Sequence, residues 1–314
     1  MNLFWKRKLG LLRPTGRYEK LEIDFLTSSE KLKTLQFSAA LSEYKKLLLL
    51  DSNLVSKQAR KQQMRRLAEL KKHPDVAFYL KNTTRKNKPN RPAHLTFSDD
   101  FYRKESEKSP WYPGFYFKNE QLARHYSFYN EKQANNGGFN TTAGNSILQI
   151  QTRREATKAL AWHPTQGFSE KHFAYTSDVI QSAQSFSQER GIFKAKLRCS
   201  GKIHHAFWLA SEKKDPHINI FHFDGSEIRM GYVNNGEGEE IKIKGIDPSQ
   251  YYIYTLEWTA HELNWYINNV LVFNVSRNIP GLPLFMTFNS FIPEDEAGEE
   301  GLLEVDWVRV YQWM

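Results

Sequence analysis

The sequence predicts an all-β sandwich of two sheets, of the jelly-roll type, preceded by a small α-helical module. Three observations predict it. After residue 92, short runs rich in Val, Ile, Phe, Tyr and Trp alternate with Asn, Gly, Asp and Pro turns; before it, apolar residues recur at helical spacing. The charge divides at the same place. Residues 1–91 carry 22 Lys and Arg against 8 Asp and Glu, and the rest carries 22 against 27, so the net charge of +9 belongs to the N-terminal part. A basic unit of this kind is attracted to phosphate, anionic lipid or acidic polysaccharide alike.

Residues 1–82 read as the helical module. Thr27–Glu30 ("TSSE") has the spacing of a capping box, with Leu32, Leu35, Ala39, Leu41, Tyr44, Leu47 and Leu48 following on one face. Asp51–Asn53 interrupts the pattern and is placed to cap a second helix reaching Lys72, with Val55, Ala59, Leu67 and Leu70 on its apolar side. Pro74 and Asp75 open a short third helix, and residues 83–92 read as a linker. The basic stretch Lys57–Lys72 suits a solvated helix face; no zinc finger, basic zipper or phosphate-cradling glycine motif supports nucleic-acid binding. A protein or anionic-surface partner is the expectation for residues 1–82.

Residues 93–314 read as the β domain. More than eight strands over about 220 residues suit a sandwich whose side chains alternate between core and surface. Trp258 and Trp307 are expected in the core.

Other classes are excluded. No run of about eighteen apolar residues exists, so no helical membrane span is expected. One cysteine, Cys199, excludes an internal disulfide framework and a cysteine-based zinc site. The start, Met1–Gly16, is basic but lacks the apolar stretch and cleavage site of a secretory signal, which favours a cytoplasmic location.

Several segments occur in the order seen in one enzyme family: Phe97–Phe101, Gly144–Glu155, Tyr175–Arg198, His205–Ser211, Tyr251–Val272 and Leu303–Gln312. Together they resemble glycoside hydrolase family 16, the laminarinase, lichenase and agarase type. The resemblance runs through nearly all of residues 93–313 and leaves the helices uncovered. It implies a concanavalin A-like jelly roll of lectin and glucanase type, whose concave sheet carries a polysaccharide or oligosaccharide, and an endo-acting retaining hydrolase. It also implies Glu-x-Asp-x-x-Glu on the strand after "AFW": nucleophile, assisting acid and acid/base. Here that run is "HINIFH", which puts His217 at the nucleophile, Asn219 at the assisting position and His222 at the acid/base.

Chemistry gives the substitution its meaning. A retaining glycosidase needs one carboxylate to attack the anomeric carbon and a second carboxyl group, about 5 to 5.5 Å away, to protonate the leaving oxygen. Imidazole exchanges protons near neutral pH but attacks an acetal poorly and carries no negative charge to stabilise an oxocarbenium ion. Positions 217 and 219 share a strand face, and 222 rejoins it only through a bulge. Asp215, Asp224 and Glu227 are near in sequence but displaced from that face. His217 and His222, with His204 or His205, are an alternative metal or proton-abstraction set, although no carboxylate completes it.

Binding of a glycan or an acidic polymer without cleavage is the expected function, with Trp208, Trp265, Tyr232 and Phe221 as groove or near-groove aromatics and Arg153, Arg154 and Asn289 as hydrogen-bonding candidates. The resemblance makes Trp208 the strongest candidate. The acids at Glu294–Glu300 replace the family's usual Trp- and Gly-rich stretch and are a candidate structural calcium site, with a solvated turn as the simpler account. No other cofactor is expected. Residual hydrolysis of a β-glucan or galactan, and a protein-interaction scaffold that binds no sugar, are the alternatives.

Overall fold

Alternation of buried and exposed side chains builds most of this protein, a computed structural model that describes residues 12–50, 56–83, 93–103, 108–116 and 126–313. It forms two units, one of residues 19–94 and one that combines residues 12–18 with 95–313.

The helices are α1 (Thr15–Thr34), α2 (Ala39–Leu49), α3 (Lys57–Leu70) and α4 (Pro74–Thr83), with a 3-10 turn at Leu35–Phe37. Thr27 and Glu30 face solvent inside α1 and start no helix, because the residues upstream continue the same helical turn. The real boundary is Ser38. Its hydroxyl accepts from Leu41 N–H and donates to Asp75 at 2.7 Å, so one side chain caps α2 and ties it to α4. Ser56 caps α3 by accepting from Ala59 N–H; Asp51–Asn53, expected in that role, lies outside the described residues, as does the predicted linker beyond Thr83. Leu35, Leu41, Tyr44, Leu67, Leu70 and Val76 form the helical core.

The strands follow in order: β1 (Ala93–Asp99), β2 (Tyr112–Pro113), β3 (Ser127–Phe128), β4 (Gln133–Asn135), β5 (Thr141–Gly144), β6 (Ile147–Thr152), β7 (Thr157–His163), β8 (Gly167–Phe173), β9 (Tyr175–Ser177) and β10 (Val179–Gln181). Then come β11 (Gly191–Ser200), β12 (His204–Ala210), β13 (His217–Asp224), β14 (Ile228–Asn234), β15 (Glu237–Ile243), β16 (Tyr252–Trp258), β17 (Leu263–Ile267), β18 (Val270–Val275), β19 (Phe285–Phe291) and β20 (Gly301–Trp313). One sheet runs β18-β17-β16-β11-β20-β6-β5, with β1 also paired to β20; the other runs β15-β14-β13-β12-β19-β10-β2. Their inner faces meet in a single apolar core that includes Phe193, Phe207, Phe221, Trp258, Trp265 and Phe288. Phe207 stacks on Phe288 with ring centroids 4.4 Å apart. Leu12 joins this core, and Thr15 donates to Tyr251 C=O at 2.6 Å. Trp307 is buried as expected, and the lone Cys199 is sealed, with burial pushing its thiol far above the usual range.

Strand β13 breaks the alternation. Ile218, Ile220, Phe221 and Phe223 are buried while His217, Asn219 and His222 face outward, so one extra residue is inserted between 219 and 222. The pairing records it: Phe207 lies opposite Phe221 but Trp208 opposite Asn219, and on the other side Asn219 and His222 lie opposite Gly231 and Arg229. Across the core, the Trp265 indole N–H donates to Asn219 C=O at 2.9 Å. Trp265 was a predicted groove residue. It lies instead on β17 of the opposite sheet, fully buried, because Leu263, Trp265 and Ile267 form the inward face of that strand. Phe221 is likewise a core residue. Replacing Trp265 with Ala is expected to lower stability by about 3–5 kcal/mol in urea titrations, since it removes a large core side chain and strands the Asn219 carbonyl.

Candidate functional site

The outer face of the β12-β13-β19 region opens into a cleft of about 310 Å³, lined by Ala206, Trp208, His217, Asn219, His222, Asn289 and Phe291, with Phe115, Phe128, Glu131 and Lys214 around it. The bulge brings His222 onto the face of His217 and Asn219. Trp208 is half-buried; its indole N–H donates to Asn289 Oδ1 at 3.0 Å, leaving the Asn289 amide hydrogens as donors. His217 Nδ1 lies 3.0 Å from Lys214 C=O and therefore carries the proton, so Nε2 is the acceptor in the neutral ring. Trp208 meets the His217 ring edge-on at 6.0 Å.

Behind His222 runs a chain of three groups. Its Nε2 lies 2.9 Å from His204 Nδ1, and His204 Nε2 lies 3.1 Å from both Glu296 oxygens. With His204 donating to the carboxylate, the neutral arrangement has His222 Nε2 donating to His204 and His222 Nδ1 free to accept. Burial, reinforced by His204, pushes His222 down to about 4. His205 is a core residue: its Nε2 donates to Ser200 C=O, its Nδ1 accepts from Ser290, and burial holds it down at about 3.

Glu131 and Lys214 come from distant loops. Lys171 donates to the Tyr129 and Glu131 carbonyls at 2.6 and 2.7 Å and pairs with Glu294 at 2.6 Å, which fixes the turn carrying Glu131. Gln133 donates to Glu131 Oε2 at 2.8 Å. Burial raises the Glu131 carboxyl to about 7, against the pull of Lys214 and Lys171. The Lys214 ammonium sits 3.8 Å from the ring centres of both Phe115 and Phe128. Burial lowers it to about 8.

A family model for glycosyl hydrolases family 16 matches residues 128–309, well over half of the chain. The chain belongs to glycoside hydrolase family 16. Among curated relatives it is 22% identical over 159 residues to the endo-1,3-1,4-beta-glycanase ExsH of Rhizobium meliloti, covering 44% of this chain and 34% of ExsH. It is 23% identical over 146 residues to a beta-glucanase of Paenibacillus macerans, covering 43% and 60%. The chain thus spans from a third to three fifths of these relatives. In fold it is similar to the laminarinase catalytic domain of Thermotoga maritima (TM-score 0.54, 17% identity, 71% of this chain and 99% of that one). The endo-beta-1,3-glucanase of Pyrococcus furiosus is similar to the same degree (TM-score 0.56, 16% identity, 72% and 97%).

On this family-16 scaffold the cleft gathers His217, Asn219, His222, Trp208 and Asn289, and leaves out Tyr232 and Arg153. Tyr232 is a correction. Outward positions on β14 are Arg229, Gly231 and Val233, so Tyr232 points inward, is 3% exposed, and donates to Arg277 C=O at 2.6 Å. Arg153 follows β6 in the other sheet, where it donates to Gln151. The nearby acids are committed elsewhere: Asp215 accepts from Asn235 and Gly236 N–H, Asp224 pairs with Arg229, and Glu227 with Lys242 and Lys244. The acids proposed for calcium diverge, with Glu294 on Lys171, Glu296 on His204, Glu299 on Lys202 N–H and Glu300 on Arg154 N–H. Among the described residues no three His, Cys, Asp or Glu side chains cluster to hold a metal ion.

Sequence patterns do not single out Glu131, Lys214, Phe115, Phe128 and Phe291, nor Glu296 as the partner of His204. Only Lys214, in the hairpin next to β13, carried a local signal.

The titrating groups make opposite contributions to stability. His205 and His222 have lowered values, so their contribution is full above about pH 6.5 and is lost as pH falls toward 4. Glu131 has a raised value, so its contribution is full below about 4.5 and is lost as pH rises through 7. Between those limits the histidines outnumber the acid. Melting temperature is expected to fall on acidification across this window, less steeply in His222→Asn and more steeply in Glu131→Gln, as thermal melts at a series of pH values will measure.

Proposed function

We propose that the β unit binds a saccharide chain in this cleft without hydrolysing it. One observation carries the reading: Glu131 is the one carboxylate lining the cleft among the described residues, whereas retaining hydrolysis needs two about 5 to 5.5 Å apart. Glu131 can offer a proton, but the positions beside Trp208 supply two imidazoles and an amide where an attacking carboxylate is required. A half-buried indole beside a fixed amide is suited to a sugar, whose C–H groups pack on the ring while its hydroxyls meet Asn289, His217 and His222. The glucanase activities named for the relatives support a glycan as the ligand class.

One feature favours a second reading, hydrolysis of a β-glucan or galactan by substituted residues: Glu131 holds its proton up to about pH 7, and His222 is backed by His204 and Glu296. The two readings separate in one set of measurements. Calorimetric titration with laminarin, lichenan, agarose and carrageenan oligosaccharides is expected to show saturable binding that weakens about tenfold or more in Trp208→Ala. Reducing-end assays on the purified chain are expected to show no turnover. Sustained release that disappears in His222→Ala would establish the hydrolytic reading instead, and restoring His217→Glu, Asn219→Asp and His222→Glu together measures how much of the groove is still competent.

A further inference from the structure

Lys214 is placed with more care than a surface lysine needs. It lies in the hairpin between β12 and β13, where its N–H donates to Ser211 C=O and its own carbonyl accepts from His217. Its backbone is left-handed, with φ of 61°, a conformation that costs a non-glycine residue about 1 kcal/mol or more and is kept only where surrounding contacts fix it. Asp215, the next residue, clasps Asn235 and Gly236 N–H at 2.8 Å each, so the hairpin is bound to the turn between β14 and β15.

The side chain crosses to the other wall of the cleft. There its ammonium sits over the adjoining rings of Phe115 and Phe128, and its one hydrogen bond to a described residue, to Tyr126 Oη, is long at 3.4 Å. No carboxylate of the described residues lies within 4.0 Å of it, although Glu131 lines the same cleft. Ring faces attract a cation but bring no opposite charge and no acceptor lone pair. A desolvated ammonium with three donors and a single weak acceptor, on which Glu131 acts only through space, is therefore able to seat a further anion at hydrogen-bond distance.

We propose that Lys214 is the anion receptor of the cleft and that the saccharide bound there is acidic, carrying a carboxylate or sulfate group that seats on this ammonium while a ring packs on Trp208. The proposal rests on saccharide binding at this cleft and names its class. Asn289 and the His217 and His222 acceptors serve hydroxyls. Glu131, faced by Lys214, Lys171, Tyr126 and Gln133, repels the anion when ionised and donates to it when protonated, so affinity for acidic chains rises as pH falls through about 8, where Lys214 gains its proton, and about 7, where Glu131 loses its charge.

Calorimetric titration of the full chain with three oligosaccharide sets tests this: neutral β-glucans, oligouronates, and sulfated galactans. At least one acidic set is expected to bind about tenfold tighter than the neutral one, and whichever is preferred identifies the anion. Lys214→Met, which keeps an apolar chain between the rings, is expected to erase the preference, and Lys214→Arg to keep it. The salt dependence of binding to the unaltered chain adds a readout that needs no variant: affinity for the acidic set falls with added salt, while that for the neutral set does not. Equal affinity for neutral and acidic sets, or a preference that survives in Lys214→Met, overturns the proposal and leaves glycan binding intact. Failure of every set to bind overturns glycan binding itself, and this proposal with it.

Discussion

Inserting Ile220 into a strand that otherwise alternates creates both a benefit and a debt. The benefit is that His222 joins His217 and Asn219 on one face, which period-two alternation forbids for residues three and five apart. The debt is the Asn219 carbonyl, displaced from the regular ladder and facing the core. Trp265, reaching from the opposite sheet, satisfies it at 2.9 Å. Cleft geometry and core packing are therefore one problem. The aromatic that reads as a groove residue in sequence is the brace behind β13.

Electrostatically the cleft inverts what its scaffold usually supports. Where the family resemblance places carboxylates stand two imidazoles and an amide, of which burial holds His222 neutral, and the one acid that lines the cleft among the described residues, Glu131, is itself drawn toward neutrality. The formal positive charge lies on Lys214, whose ammonium rests against Phe115 and Phe128. Among the described residues its lining thus combines hydrogen-bonding side chains and aromatic rings with one cation and one acid.

Much of the β unit was legible because alternation and turn chemistry are local. The strands from Gly191 to Val275 announce themselves, and so does the bulge, once three outward residues are required at 217, 219 and 222. The limits were physical too. A tryptophan at alternating spacing fits either face of a sandwich, and only the sheet to which β17 belongs decides that Trp265 points inward. Thr27–Glu30 satisfies the spacing of a cap yet lies within α1, since a short polar run on an exposed helix face looks the same as a helix start; Ser38 is distinguished by its contact with Asp75, 37 residues away. Glu131 and Lys214 are 83 positions apart in sequence and share a cleft only through topology, which no local pattern encodes.

The line of groups from Glu296 through His204 to His222 has a consequence for how the cleft communicates with its surroundings. Glu296 is 44% exposed at one end and His222 borders the cavity at the other, with hydrogen-bond distances between. Three proton moves, one from the cleft onto His222 Nδ1, one from His222 Nε2 to His204 Nδ1 and one from His204 Nε2 to Glu296, exchange the tautomers of both rings without moving a heavy atom and leave the carboxyl protonated. A saccharide that covers the mouth of the cavity would exclude water from His222, yet the ring would stay in protonic equilibrium with the bulk through Glu296 along the same face of the sheet.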